Sequence, residues 1–112
     1  MTGRFATVWT DTALNDLLAI VDYIVDRDGV EAADDLYEKI ADAVRSLDTM
    51  PRRCRIVREL DAEGITAYRE QLVGPHRVMF AIRDATVVVL TALDGRRDLT
   101  ELLVVRALRH VS

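Results

Sequence analysis

Apolar positions along the 112-residue chain follow two periods, a helical one in the first half and an extended one in the second. Leu14, Leu17, Leu18, Val21, Ile24 and Val25 recur at the three- and four-residue spacing of one helix face. Thr10 or Asp11 stands ahead of them as an N-cap, and Asp28-Gly29 behind them as a C-terminal stop. A second stripe, Ala33, Leu36, Tyr37, Ile40, Val44 and Leu47, starts from about Val30 and ends before Pro51. Two amphipathic helices with so tight a joint predict an antiparallel hairpin. Ahead of it, FATVW at 5–9 reads as a short strand.

From residue 51 the pattern becomes extended. Residues 56–60 form a short candidate strand and 61–64 a polar loop. Residues 65–73 and 77–83 are strands about a Gly74-Pro75 turn. Asp84-Ala85 makes a tight reversal, and 86–93 is the last and most apolar strand. After Asp94-Gly95 a terminal helix is expected over about 98–110, with Asp98 and Glu101 at capping-box spacing. No repeat or linker interrupts the pattern, so 1–112 reads as one domain. The predicted fold class is α+β: an N-terminal strand and an antiparallel helical hairpin packed on a small antiparallel sheet, with a C-terminal helix. Leu17, Val21, Leu36, Ile40, Val78, Phe80, Val88 and Leu90 are expected to bury between hairpin and sheet.

Charge changes the picture. The net charge of -4 hides an asymmetry: residues 1–50 hold 11 acidic and 4 basic side chains, residues 51–112 hold 8 and 11. All 11 cations of the second half are arginines, whose planar forks suit carboxylates and phosphates. Generic nucleic-acid binding wants a net basic chain, so no sequence-specific nucleic-acid contact is expected. No stretch approaches the roughly 18 uncharged apolar residues of a membrane span, and the first residues develop no signal-peptide core. The one cysteine, Cys54, forms no intrachain disulfide and fits a reducing cytoplasm. With only His76 and His110 as histidines, no zinc site and no cofactor are expected.

Candidate chemistry centres on the arginines. Arg69 and Arg77 flank the turn between two strands, and Arg96 and Arg97 follow the end of the next strand. A sheet can gather such cations into a seat for an anion or an acidic peptide. The other reading is a solvated set paired with Glu59, Glu70 and Asp98. A nucleophile or general base is harder to find, since G-x-S-x-G, P-loop and H-E-x-x-H motifs are all absent. Asp94 reads as a turn residue, His76 as an exposed turn histidine, and Cys54 as a loop cysteine between Arg53 and Arg55.

Three stretches, RIVREL at 55–60, YREQLVGPHRVMFAI at 68–82 and VVVLTALDGRRDL at 87–99, resemble the RelE/ParE superfamily of bacterial type II toxins. The resemblance in element order covers nearly the whole chain. It implies a cytoplasmic toxin that arrests growth, serves plasmid stabilisation, is neutralised by a cognate antitoxin, and acts on the ribosome or on DNA gyrase. In the RelE-like branch, which cuts mRNA in the ribosomal A site, the basic places fall on Arg69, Arg77 and Arg97. The departures are Gln71 for a further lysine, Leu103 for a late tyrosine, Asp94 for a histidine and His76 for a tyrosine. Without those groups RNA cleavage lacks a suitable general acid or base. The resemblance is therefore closest to the ParE branch, implied to inhibit gyrase without an active site of its own. Its target- or antitoxin-binding set then comprises Arg58, Arg69, Arg77, Arg96 and Arg97. The alternatives are a RelE-like ribosome-dependent endonuclease and a non-toxic binding module on the same fold.

Overall fold

Thr10 turns the chain from strand to helix: its hydroxyl accepts the Ala13 N–H at 3.1 Å, which starts the first helix. The computed structural model describes residues 4–95 together with residues 103 and 104. Strand β1 (Ala6–Trp9) leads into helix α1 (Asp11–Asp28). Gly29, at φ 96°, makes the sharp joint to α2 (Val30–Arg45). Two 3-10 turns, Ser46–Asp48 and Pro51–Arg53, then carry the chain to β2 (Arg55–Ile56). A single-turn helix α3 (Arg58–Asp61) precedes β3 (Tyr68–Val73), β4 (His76–Arg83) and β5 (Thr86–Asp94).

The architecture is α+β, with strand order β1-β5-β4-β3-β2. The sheet is mixed rather than purely antiparallel, because β1 runs parallel to β5, Ala6 opposite Thr86 and Trp9 opposite Val89. A parallel pair needs a long crossover, and the chain between β1 and β5 supplies it. The hairpin covers one face of the sheet, where Ala13, Leu17, Ile40 and Val44 pack on Val78, Val89 and Ala92. On that same face Leu47 and Cys54 pack with Phe80 and Val87. The other face is covered by Val57 and Leu60 and by Leu103, packed on Tyr68, Met79, Ala81 and Leu90.

Several expectations shift. Leu90 is buried and Val88 partly so, but on the face away from the hairpin. An irregularity in the β4–β5 register, where Met79 faces Thr91 and Phe80 faces Val89, leaves Leu90 as an extra residue. Val21 and Leu36 are only partly buried. In α1 the core face runs through Ala13, Leu17 and Ile24, whereas Leu14 and Leu18 are 43% and 57% exposed. Asp16 explains the rotation. Its carboxylate accepts from Thr91 Oγ1 at 2.5 Å and from the Ala92 N–H at 3.1 Å, drawing that side of the helix onto β5. Pairing of β1 ends at Val89, so Asp16 satisfies an N–H that β1 does not reach.

The strand expected over 56–60 stops at Ile56. Val57 donates its N–H to Tyr68 O, and the chain then coils, with Asp61 N–H on Val57 O. Coiling lets Val57 and Leu60 both reach the core, which an extended chain would place on opposite faces. In the expected C-terminal segment, Leu103 and Val104 are helical and Leu103 is buried. The rest of 98–110, including the capping pair Asp98 and Glu101, lies outside the described residues.

Candidate functional site

Arg77 sits on β4 opposite Leu72, on the face away from the hairpin. Its side chain is only 4% exposed. Nη1 and Nη2 donate to the two carboxylate oxygens of Glu59, each at 2.5 Å, as a bidentate fork. Nε donates to Glu70 at 2.7 Å. The Glu70 carboxylate is fully buried and takes its second cation, Arg55 Nε, at 2.6 Å from across the β2–β3 pair. Arg55, Glu70, Arg77 and Glu59 thus form one continuous chain of alternating charge.

The local sequence builds this chain. Even-numbered residues of β3 share a face, which puts Glu70 diagonal to Arg77 and directly opposite Arg55. The single turn of α3 then swings Glu59 over the Arg77 fork. The hydrogen bonds from Arg77 hold the Glu59 carboxyl down at about 2, well below the ordinary range, against the opposing effect of burial. The same bonds, accepted by Glu59, push the Arg77 guanidinium higher still. All three guanidinium nitrogens are engaged, so Arg77 offers solvent no cation.

The sheet parts the two arginines of the turn rather than gathering them. Arg69 faces Phe80 and Arg77 faces Leu72, and residues of unlike parity on β3 point to opposite faces. Arg69 is half-buried on the hairpin side, where its Nη1 donates to Cys54 O at 2.6 Å and to Arg52 O at 3.1 Å. Arg58 is exposed on α3, beside Glu59. Arg96 and Arg97 lie outside the described residues.

Three further positions differ from their sequence reading. His76 is buried, not an exposed turn residue: it opens β4 opposite Asp94. With Tyr23, Arg27 and Asp94 it lines a cavity of about 270 Å³ beside α1. Cys54 is buried too, its thiol 3.4 Å from Gln71 Oε1 and 3.3 Å from Arg53 Nη1. Gly95, read from the sequence only as part of the Asp94-Gly95 turn, lies directly under the Arg77 stem and donates its N–H to Pro75 O at 2.8 Å. The only sequence signal for it is a glycine closing an apolar strand at the point where a neighbouring strand carries an arginine.

Residues 7–99 match the family model for the ParE toxin of the type II toxin-antitoxin system parDE. The chain belongs to the ParE toxin family. Among solved structures, this ParE-family chain is similar to one from the chromosomal ParDE TA system of P. aeruginosa, with a TM-score of 0.67 and 22% identity. That alignment covers 81% of this chain and 96% of the other. A chain of the toxin-antitoxin complex RelBE2 from Mycobacterium tuberculosis aligns with a TM-score of 0.57 and 19% identity, over 80% and 95% of the two chains. At these identities both show a shared fold. No curated protein sequence matches the chain. Among the described residues of this ParE-family chain, no helix is long and apolar enough to cross a membrane.

Proposed function

We propose that the chain is the toxin of a type II toxin–antitoxin pair, inhibiting DNA gyrase in the cytoplasm by binding it and neutralised by a cognate antitoxin. Membership of the ParE family supports the toxin reading. The observation that favours binding over RNA cleavage is the state of Arg77. A phosphate clamp needs a guanidinium open to the substrate, and this one is held by Glu59 and Glu70. Arg69, the second basic place carried over from RelE-like enzymes, lies on the opposite face. His76 and Asp94 face each other on the hairpin side of the sheet, away from the Arg77 fork, and Gln71 has no titratable group.

The test uses the purified toxin in two assays. Supercoiling by purified gyrase should fall with toxin concentration, and mRNA ends mapped in a translation extract should be unchanged. Reproducible A-site cuts by the wild-type protein would replace this reading with the endonuclease one. Normal growth on unopposed expression would leave a non-toxic binding module.

A further inference from the structure

Among the described residues, Met50 is the most exposed large apolar side chain, at 69%. Its backbone stands at φ 49° and ψ 50°, in the left-handed region. A residue with a β-carbon is strained there, and the residue ahead of a proline prefers an extended backbone besides. Glycine or asparagine would make the same reversal more easily. The neighbouring Pro51, by contrast, is fully buried. The fold thus anchors the turn through Pro51 and gains no core packing from the methionine it holds outward.

Hydrogen bonds keep the turn in shape. Met50 O accepts the Arg53 N–H at 3.0 Å, and Pro51 O accepts the Cys54 N–H at 3.2 Å. Arg69 reaches from β3 to donate to Arg52 O at 3.1 Å and to Cys54 O at 2.6 Å. The Arg52 guanidinium lies over the Phe5 ring, 6.0 Å from its centroid. Arg53 donates to Ser46 Oγ at 3.2 Å and to the Cys54 sulfur at 3.3 Å. Arg4, Arg27, Arg45, Arg55 and Arg77 each sit on an Asp or Glu. Among the described residues, no carboxylate pairs with Arg52 or Arg53, so neutral groups fix their place and leave their charge uncancelled.

We propose that the turn at 50–53 is a preformed prong, which seats Met50 in an apolar pocket of the target enzyme and sets Arg52 and Arg53 on carboxylates at the pocket's rim. The proposal rests on the reading that this chain inhibits gyrase by binding it. Methionine and arginine are both enriched at interface cores, and the thioether adapts to irregular pockets. A prong shaped before binding loses little freedom on docking, which suits a folded partner. A disordered antitoxin segment folds along a groove or a strand edge, and a projecting turn offers it neither. An exposed methionine has nothing to offer a DNA backbone, and a chain of net charge -4 repels a long polyanion.

The experiment compares purified wild-type toxin with Met50→Gly and with the double variant Arg52→Gln, Arg53→Gln, in gyrase supercoiling, antitoxin binding and thermal melts. Met50→Gly relieves the left-handed strain, so it should melt at or above the wild-type temperature, while its half-inhibiting concentration rises at least about tenfold. The arginine variant should keep its melting temperature, lose inhibition by at least about tenfold at low salt, and show a flatter salt dependence. Both variants should bind the cognate antitoxin as the wild type does. Undiminished inhibition by both folded variants overturns the prong and leaves gyrase inhibition standing. A markedly lower melting temperature in Met50→Gly shows that the methionine serves the fold, and also overturns it. Weakened antitoxin binding with unchanged inhibition assigns the turn to the antitoxin instead. Failure of the wild-type toxin to inhibit gyrase overturns both readings. A gel shift of plasmid by toxin alone, lost in the arginine variant, assigns Arg52 and Arg53 to phosphate.

Discussion

The side chain of Arg77 lies across the α-carbon of Gly95, so closely that a β-carbon there would sit 2.1 Å from Arg77 Cδ and 2.3 Å from Cγ. The arginine stem cannot step aside, because its fork is pinned by Glu59 and its Nε by Glu70. Gly95→Ala should therefore cost about 1–3 kcal/mol through overpacking, read as a lower denaturant midpoint with unchanged slope. Removing the stem removes the clash. In an Arg77→Ala background the same Gly95→Ala change should cost little, and the double-mutant cycle should show a coupling of at least about 1 kcal/mol. Additive losses would mean that Gly95 is required for some reason other than Arg77.

Arg77 itself should behave as a structural residue. Arg77→Ala leaves the half-buried Glu59 carboxylate without its cation and the fully buried Glu70 carboxylate with Arg55 alone. Breaking such a pair costs about 3–5 kcal/mol, a large share of a small domain's stability. Arg77→Lys should rescue little, because a point charge cannot replace the fork on Glu59 and the Nε contact to Glu70 together. Thermal melts of both variants check this, and wild-type stability in Arg77→Ala would refute it.

The Glu59 carboxyl gives the network a pH signature. Its folded pKa, about 2, lies below the roughly 4.3 of an unfolded glutamate. A lowered folded pKa contributes stability in full above the unfolded value, and that contribution is lost as pH falls through about 4.3 towards 2. Denaturant midpoints measured down this window should fall more steeply for the wild type than for Glu59→Gln, which lacks the titrating group. Parallel profiles would show that Glu59 does not carry the acid sensitivity.

Asp16→Ala should cost about 1–3 kcal/mol, because it strips the Thr91 hydroxyl and the Ala92 N–H of their shared acceptor. Asp16→Asn keeps an oxygen and should lose less. The local readout is hydrogen exchange at Ala92, which should quicken in Asp16→Ala while exchange at Val78, deep in the same face, follows only global unfolding.

Much of the frame was legible because periodicity reports burial directly. The hairpin, with its break at Gly29, and the three long strands followed from spacing alone. What escaped depended on partners distant in sequence. The rotation of α1 is set by Asp16, which a helical wheel marks only as polar, and whose role appears once β5 lies beside it 75 residues later. The parallel seat of β1 is decided by the crossover rather than by FATVW itself. Residues 56–60 carry strand-like side chains, yet Val57 and Leu60 have to reach the same core, and one helical turn achieves that. For the arginines the sequence shows charge but not parity. The two-residue Gly74-Pro75 turn sets Val73 opposite His76, and so Arg69 and Arg77 on opposite faces, a consequence that follows only when the turn is carried through to the pairing.

Arg96 and Arg97 pose the sharpest functional prediction, because Arg77 sets the contrast. One arginine of this chain is enclosed by carboxylates and should govern stability. The Arg96-Arg97 pair, directly after Gly95, is proposed to meet the target or the antitoxin. An exposed charge changed to alanine usually shifts stability by no more than about 0.5 kcal/mol. A lost charge-assisted contact at an interface can cost about 2–5 kcal/mol. The double variant Arg96→Ala, Arg97→Ala should therefore keep a melting temperature close to wild type while losing growth arrest and gyrase inhibition. Expression has to be matched by immunoblot, since a degraded toxin would also fail to arrest growth. If the folded double variant still halts growth and inhibits supercoiling at wild-type concentrations, the pair is not the contact and the toxic surface lies elsewhere on the fold.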